Sequence, residues 1–240
     1  MSTSPTSPLQ PNPLPLHPSS PTETLPGTHI TLEPLVPNHA PALYPLISGP
    51  AAAPLWTYMP SGPFADLATF QSYITQHASS PSTIFWAIRS NATGAILGHT
   101  SYLRIDSANA VVEIGNILYT PALQRTVGAT EAWYLLAARA FAAGYRRLEW
   151  KCNALNEPSR RAALRYGHVF EGVFRQHMVV KGANRDTAWF SIIDAEWPRE
   201  KRVIEVWMGE GNFDEEGRQR RGLGEVREAE RERERESGGV

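Results

Sequence analysis

The chain has 240 residues, 42% of them hydrophobic, which suffices for one sizeable core and one domain with tails. A formal net charge of −1 offers no electrostatic footprint for nucleic acid or an anionic membrane, so neither is expected as a partner. The single cysteine, Cys152, excludes an intrachain disulfide and a cysteine zinc site, and the seven histidines show no ligating spacing, so no metal is expected.

In chain order, residues 1–27 are dense in Pro, Ser and Thr. Such a stretch fixes φ, removes amide donors and offers little to bury, so it is expected to be disordered. Within it PLQPNPLPLHP has the composition of a polyproline ligand but no flanking cation. With no basic n-region and no unbroken apolar run, this end reads as neither a signal peptide nor a membrane span, and the protein is expected in the cytoplasm.

Between 28 and 199 the pattern predicts a folded domain. Residues 29–36 read as a strand, 38–48 as a helix despite Pro41 and Pro45, and LWTYMPSGPF (55–64) as an aromatic-bearing loop. A helix follows over 66–77 with Asp66 as its N-cap. STIFWAIR, AILGHTSYLRI and VVEIGNILY then form a meander of antiparallel strands, separated by turns at Thr93-Gly94 and Asp106-Ser107. A helix over 126–143 ends at Gly144; strand RLEWKCNA, helix 158–166 and strands FEGVFRQHMVV and TAWFSIID complete the domain. The fold class expected is α/β (α+β), with a mixed, mostly antiparallel sheet flanked by helices. From 200 to 240 the chain is highly charged and ends in REAERERERESGGV; this tail is expected to be disordered or a frayed helix. The apolar group Val203, Ile204, Val206, Trp207 and Met208 stands out within it without an assigned place.

Two strand-to-helix junctions carry the chemistry. At Tyr119–Ala132 a strand end, a Pro and small side chains lead into a helix start, leaving amides and a positive dipole end available to an anion. Neither a Walker loop nor a dinucleotide fingerprint is present. At the second junction Asn156 is a good N-cap, Pro158 sits in the first helical turn and Gly167 suits the position after the helix. Asn156, Ser159, Arg160 and Arg161 thereby gather beside the end of strand RLEWKCNA.

In that order, the loop LWTYMPSGPF, EIG (113–115), LQRTVGATEA (123–132), ALNEPSRRA (154–162), FEGVFRQ and NRDTAWFSIID resemble the GNAT superfamily of acyl-CoA N-acyltransferases, in its Rim-type branch. The resemblance covers roughly residues 29–198. It implies a sheet splayed between its fourth and fifth strands, with acetyl-CoA as co-substrate lying in the gap. The pantetheine arm would pair with fourth-strand amides at Asn116, Ile117, Leu118 and Tyr119. The pyrophosphate would meet the turn Gln124, Arg125, Thr126, Val127, Gly128, Ala129 and Thr130, where Val127 stands in place of the usual first glycine. Asn156 would hold the pantetheine arm, with Arg160 nearby.

The same resemblance makes Glu113 the candidate base, acting through water on an amine that is mostly protonated at neutral pH. The Leu118 amide is the candidate oxyanion donor. Many family members protonate the leaving thiolate with a tyrosine four residues before the helix-ending glycine; that position is Ala163 here, so Ser159 or a water must serve. A glutamate proposed as base in some Rim-type enzymes corresponds to Met178, with His177 beside it, and the usual Gly-Phe after the helix is Gly167-His168. Cys152 alternates with Trp150 and Leu148 and reads as a core residue, so direct transfer in a ternary complex is expected. The acceptor pocket is expected at Trp56, Tyr58 and Phe64, with Arg185 as a polar contact. The acceptor is expected to be a small-molecule amine; a peptide N-terminus, a non-catalytic acyl-CoA-binding adaptor and a homodimer stay open.

Overall fold

The computed structural model describes residues 23–237, so the polyproline reading of the N-terminal segment and the last three residues lie outside the described residues. The strands are β1 (Leu25–Pro26), β2 (Ile30–Pro34), β3 (Ile84–Ser90), β4 (Ile96–Asp106), β5 (Val111–Tyr119), β6 (Arg147–Asn153), β7 (Val169–Val180) and β8 (Ala183–Ile193). The helices are α1 (Ala40–Ile47), α2 (Leu67–Ala78), α3 (Val127–Ala142), α4 (Glu157–Arg165), α5 (Trp197–Met208) and α6 (Leu223–Ser237). They build one mixed sheet in the order β1-β2-β3-β4-β5-β6-β8-β7. Every adjacent pair is antiparallel except β5 with β6, which α3 connects as a crossover.

Alternation along the strands sorts the side chains into two cores. Val112 and Ile114 of β5, Leu148, Trp150 and Cys152 of β6, and Ala188, Phe190 and Ile192 of β8 share one face with Trp133, Leu136, Ala137 and Ala140 of α3. On the other face, Phe85, Ala87 and Leu118 pack against Leu43, Ile47, Phe70 and Ile74 of α1 and α2. Those two helices lie over β3 and β4, so among the described residues no helix packs on this face of β6, β8 and β7. The helix expected after an Asn38 cap begins instead as α1 after His39, with no side-chain cap. The N-caps predicted at Asp66 and Asn156 form, accepting from the Thr69 amide at 2.7 Å and the Ser159 amide at 3.2 Å, and Thr126 caps α3 in the same way from Ala129 at 3.2 Å. A cap of this kind contributes ~1 kcal/mol and fixes where each helix begins.

One buried carboxylate ties α3 to the start of β2. Glu131, 5% exposed, accepts the amides of Thr28, His29 and Ile30 at 2.6, 2.7 and 2.9 Å. A Cβ on Gly27 would come within 2.6 Å of that carboxyl group, so a larger residue there would push the carboxylate off its three amides.

The C-terminal expectation is corrected. The packed domain does not end at 199: Val203, Ile204 and Trp207 of α5 and Leu223 and Val226 of α6 are buried in the α3-side core. The charged run is anchored as well. Glu200, 1% exposed, meets Arg227 at 2.8 Å, and Arg227 also donates to the Arg165 carbonyl at the end of α4 at 2.8 Å. The apolar i, i+3, i+4 spacing of Val203, Ile204 and Trp207 makes α5 amphipathic, and burying that stripe outweighs the charge density around it.

Candidate active site

The site begins where two parallel strands diverge. The register of β5 with β6 runs through Val111↔Arg147, Val112↔Leu148 and Glu113↔Glu149 and stops there, so β5 from Ile114 to Tyr119 has no partner on the β6 side. The gap expected between the fourth and fifth strands of the family is this β5–β6 split.

The neighbouring β4 moulds β5 at that point. The β4–β5 register shifts between His99 and Ser101, and Asn116 takes φ +50°, a left-handed value that Asn tolerates better than most residues. Its Nδ2 donates to Ser101 Oγ at 3.1 Å, and that hydroxyl donates to the Gly115 carbonyl at 3.0 Å. A Cβ on Gly98 would lie 2.2 Å from the Leu118 carbonyl oxygen, so only glycine admits β5 this close.

After β5 the chain turns tightly into α3. The Leu123 and Gln124 amides both donate to the Thr120 carbonyl, Gln124 Nε2 donates to the Tyr119 carbonyl at 2.8 Å, and Arg125 takes φ +62°. Thr126 donates its amide to Leu123 and caps Ala129 with its hydroxyl. The predicted cradle of successive amides therefore narrows. Those of Thr126 and Ala129 are occupied, and the Thr130 hydroxyl accepts from Arg165 at 3.0 Å inside the protein. The first-turn amides of Val127 and Gly128 lie among those an α-helix leaves unpaired, beside the exposed Arg125. Gly128 is required for a reason other than the amide: a Cβ there would stand 2.8 Å from the Ile30 Cγ2.

Across the split, Asn156 caps α4, and Ser159 Oγ accepts from Trp150 Nε1 at 3.0 Å. Arg160 is half-buried and reaches Glu157 at 3.4 Å. Trp150 faces the α3-side core, so Ser159 lies on that side of the sheet. Glu113 points to the opposite face. Two functional candidates thus flank the split from its two sides. Ala163 is fully buried, and Tyr166 stacks on Trp133 with ring centroids 4.7 Å apart, so neither offers a donor to the split. Burial pushes the Cys152 thiol up, which fits a core residue rather than a thiolate.

Glu113 is ionically engaged. Its side chain is 6% exposed; Lys151 Nζ lies 2.5 Å from Oε2 and Arg104 Nε 3.5 Å from the same oxygen. Burial raises the Glu113 pKa above the usual carboxylate value, opposed by Lys151 and then Arg104; burial likewise lowers that of Lys151. Lys151 also sits 4.2 Å from the centroid of the Trp189 ring, its register partner on β8. Nothing in the motifs pointed to Arg104, Lys151 or Trp189. The available signal was alternation: Lys151 stands between Trp150 and Cys152 and must face away from their core.

The expected acceptor residues divide. Trp56 is corrected from pocket wall to core: it is 1% exposed, donates from Nε1 to the Ile47 carbonyl at 2.9 Å, and meets Phe64 edge-on at 5.2 Å. So large an indole gains more by burial with its one donor satisfied than by lining an open loop. Phe64 is half-buried in the same cluster. Tyr58 does reach the split, its hydroxyl donating to the Leu155 carbonyl in the β6–α4 turn at 3.0 Å. Lys181, in the β7–β8 turn, donates to the Trp56 carbonyl at 2.7 Å, so the loop is held from two sides. Arg185 lies on β8 and donates to Thr187 Oγ1 at 3.2 Å, the hydroxyl that His177 Nδ1 also meets at 2.9 Å. A bulge at Gln176, whose amide donates to Asp186, aims His177 toward Trp189 beside an open groove of about 800 Å³.

A sheet opened between two parallel strands, with helix starts on both sides of the opening and a carboxylate on one face, defines a site for a long ligand threaded between strands. The comparisons give it a family. Residues 29–169 match the acetyltransferase (GNAT) domain family, and the chain belongs to that family: it is an acetyl-CoA-dependent acyltransferase. A GCN5-related N-acetyltransferase from Brucella melitensis is similar at 41% identity over 92% of this chain and 98% of its own, with a TM-score of 0.86. A probable GNAT-family acetyltransferase from Chromobacterium violaceum shares 36% identity over 82% of this chain and 99% of its own, with a TM-score of 0.74. The microcin C7 self-immunity acetyltransferase MccE, solved with acetyl-CoA and AMP, shares 25% identity over 70% and 93%, with a TM-score of 0.61. No curated protein matches the chain. No helix among the described residues is long and apolar enough to cross a membrane.

Proposed function

We propose that the protein moves the acetyl group of acetyl-CoA directly to the primary amine of a small molecule, as a Rim-type N-acetyltransferase. The observation that carries this reading is the β5–β6 split, with Glu113 on one face and Asn156 and Ser159 on the other. The unpaired β5 backbone and the free Val127 and Gly128 amides fit an extended, phosphate-bearing thioester, which supplies an activated acetyl group when bound. Asn156 and Arg160 hold the arm on the α4 side, and Arg125 adds charge at the phosphates. The expected oxyanion donor is corrected: Leu118 pairs with His99 and turns its backbone groups to β4, so the charge that develops on the thioester oxygen is received instead by a β5 amide turned to the split, that of Ile117 or Tyr119.

The acceptor enters over the helix-free face, past Tyr58 and the groove beside His177. Glu113 takes the proton that the ammonium must lose, through a water, and passes it to solvent. As the adduct collapses the nitrogen gives up its second proton through water, and the Ser159 hydroxyl, reprotonated from that water, gives one proton to the departing sulfur. Cys152, buried and held as a thiol, takes no covalent part. Thiol release from acetyl-CoA, read against a panel of polyamines, amino acids, aminoglycosides and a seryl peptide, tests the assignment. Turnover on a small amine, reduced about a hundredfold or more but still measurable in Glu113→Gln, is expected; turnover on the peptide alone moves the protein to the N-terminal acetyltransferases, and no turnover by a folded protein overturns the reading.

A further inference from the structure

We propose that Lys151 is a positioning residue for the transfer, spanning the β5–β6 split to hold the Glu113 carboxylate in place and oppose its protonation. The inference rests on the reading of Glu113 as the base. Pairing of β5 with β6 ends at Glu113↔Glu149, and Lys151 is the next β6 residue on that face, the first beyond the point of separation. Its ammonium reaches back across the opening to Glu113 at 2.5 Å, with both side chains nearly closed to solvent at 7% and 6% exposure. The Trp189 ring lies 4.2 Å from the ammonium, favouring a cation there.

Stability does not explain this placement. A buried lysine–glutamate pair gains little over an apolar pair of the same volume, because both ions lose their hydration. What the pair provides is a cation held against the carboxyl group, opposing the upward shift that burial imposes on it. The other charged groups facing it are few. Arg104 of β4 is exposed and more distant, at 3.5 Å from the same oxygen. Glu149 of β6 is engaged by Arg147, which also binds Glu171 of β7. Of the residues of β8 on this face, Thr187, Trp189 and Ser191 are uncharged, and Arg185 lies two residues beyond Thr187. Arg185 meets the Thr187 hydroxyl at 3.2 Å, and His177 of β7 meets the same hydroxyl at 2.9 Å. Lys151 is therefore the main cation on Glu113. In the reaction Glu113 gains one proton from the ammonium and passes it to solvent, while Lys151 remains protonated throughout.

The test compares the full-length wild type with Lys151→Met, Lys151→Arg and Glu113→Gln. Two readouts are taken: the pH dependence of kcat/KM for thiol release with one fixed amine, and a ¹³C NMR titration of the Glu113 carboxyl, assigned by its absence in Glu113→Gln. Loss of the cation raises the carboxyl pKa, so in Lys151→Met both the acid limb and the titration should move to higher pH by about one unit or more, a tenfold loss of rate at acid pH recovered at alkaline pH. Lys151→Arg should restore most of the wild-type profile. Should Lys151→Met not fold, Lys151→Gln carries the same expectation. An acid limb absent in Glu113→Gln but unmoved in Lys151→Met overturns the role of Lys151 alone. An acid limb that persists in Glu113→Gln overturns the base assignment, and the proposal with it.

Discussion

Replacing Glu131 with alanine probes the joint between α3 and the sheet. Three amides converge on this carboxylate at 2.6–2.9 Å, and hydrogen bonds to a charged acceptor contribute ~1.5–3 kcal/mol each. Not all of that is lost. Thr28 and His29 are exposed, so water replaces the carboxylate at their amides, whereas Ile30 is 2% exposed and its amide is left stranded at a cost of ~1–3 kcal/mol. The net destabilisation expected is ~3 kcal/mol, against a typical total of roughly 5–15 kcal/mol. In a chain of this size, that lowers Tm by about 6–12 °C. Urea unfolding followed by tryptophan fluorescence measures it, with a lower midpoint at unchanged slope. Glu131→Gln, which retains one acceptor oxygen, should fall between wild type and Glu131→Ala. A loss below ~1 kcal/mol in Glu131→Ala would refute the view that this carboxylate anchors β2.

Two further predictions concern buried charge and the C-terminal helices. His168 is 3% exposed with neither ring nitrogen bonded, and burial drops its pKa to about 3. A histidine whose folded pKa lies below its unfolded value contributes full stability above pH ~6.5 and loses it as pH falls toward 3. His168→Phe should therefore remove ~2 kcal/mol of the stability difference between pH 7.5 and pH 5, measured by urea unfolding at both values; an unchanged difference would contradict the burial argument. Truncation after residue 199 should abolish folding, since it removes Val203, Ile204, Trp207, Leu223 and Val226 from the core at ~1.5–3 kcal/mol each. A soluble truncated chain with cooperative unfolding would show that α5 and α6 are dispensable.

The sequence carried the fold well where local chemistry and long-range packing agree. Asp66, Thr126 and Asn156 are side chains that compete for helix-start amides wherever they occur, so the helix boundaries were readable. The EIG and ALNEPSRRA motifs located both sides of the split. What the sequence hid depends on partners far away in the chain. Val203, Ile204 and Trp207 lie in a run of charges whose composition reads as solvated, and only the outer surface of α3 makes their stripe a core. Trp56 sits among turn formers, and its burial follows from Phe64, Tyr73 and the Ile47 carbonyl. Lys151 gains meaning only because β5 and β6 separate just before it, a register that no local pattern encodes. The Val127 substitution in the turn proved less informative than the cap beneath it: Thr126 occupies the Ala129 amide and thereby decides which amides remain.

The most direct test of the account is acetyl-CoA binding by calorimetry on the full chain, wild type beside Asn156→Ala, with the stability of each measured in parallel. Loss of the cap should lower stability by ~1 kcal/mol and leave the fold intact. If the thioester arm passes through the β5–β6 split beside Asn156, the wild type binds acetyl-CoA and the variant binds about tenfold more weakly, a difference of ~1.4 kcal/mol. A folded variant that binds acetyl-CoA as tightly as wild type would place the ligand elsewhere and contradict the assignment of this split as the site of transfer.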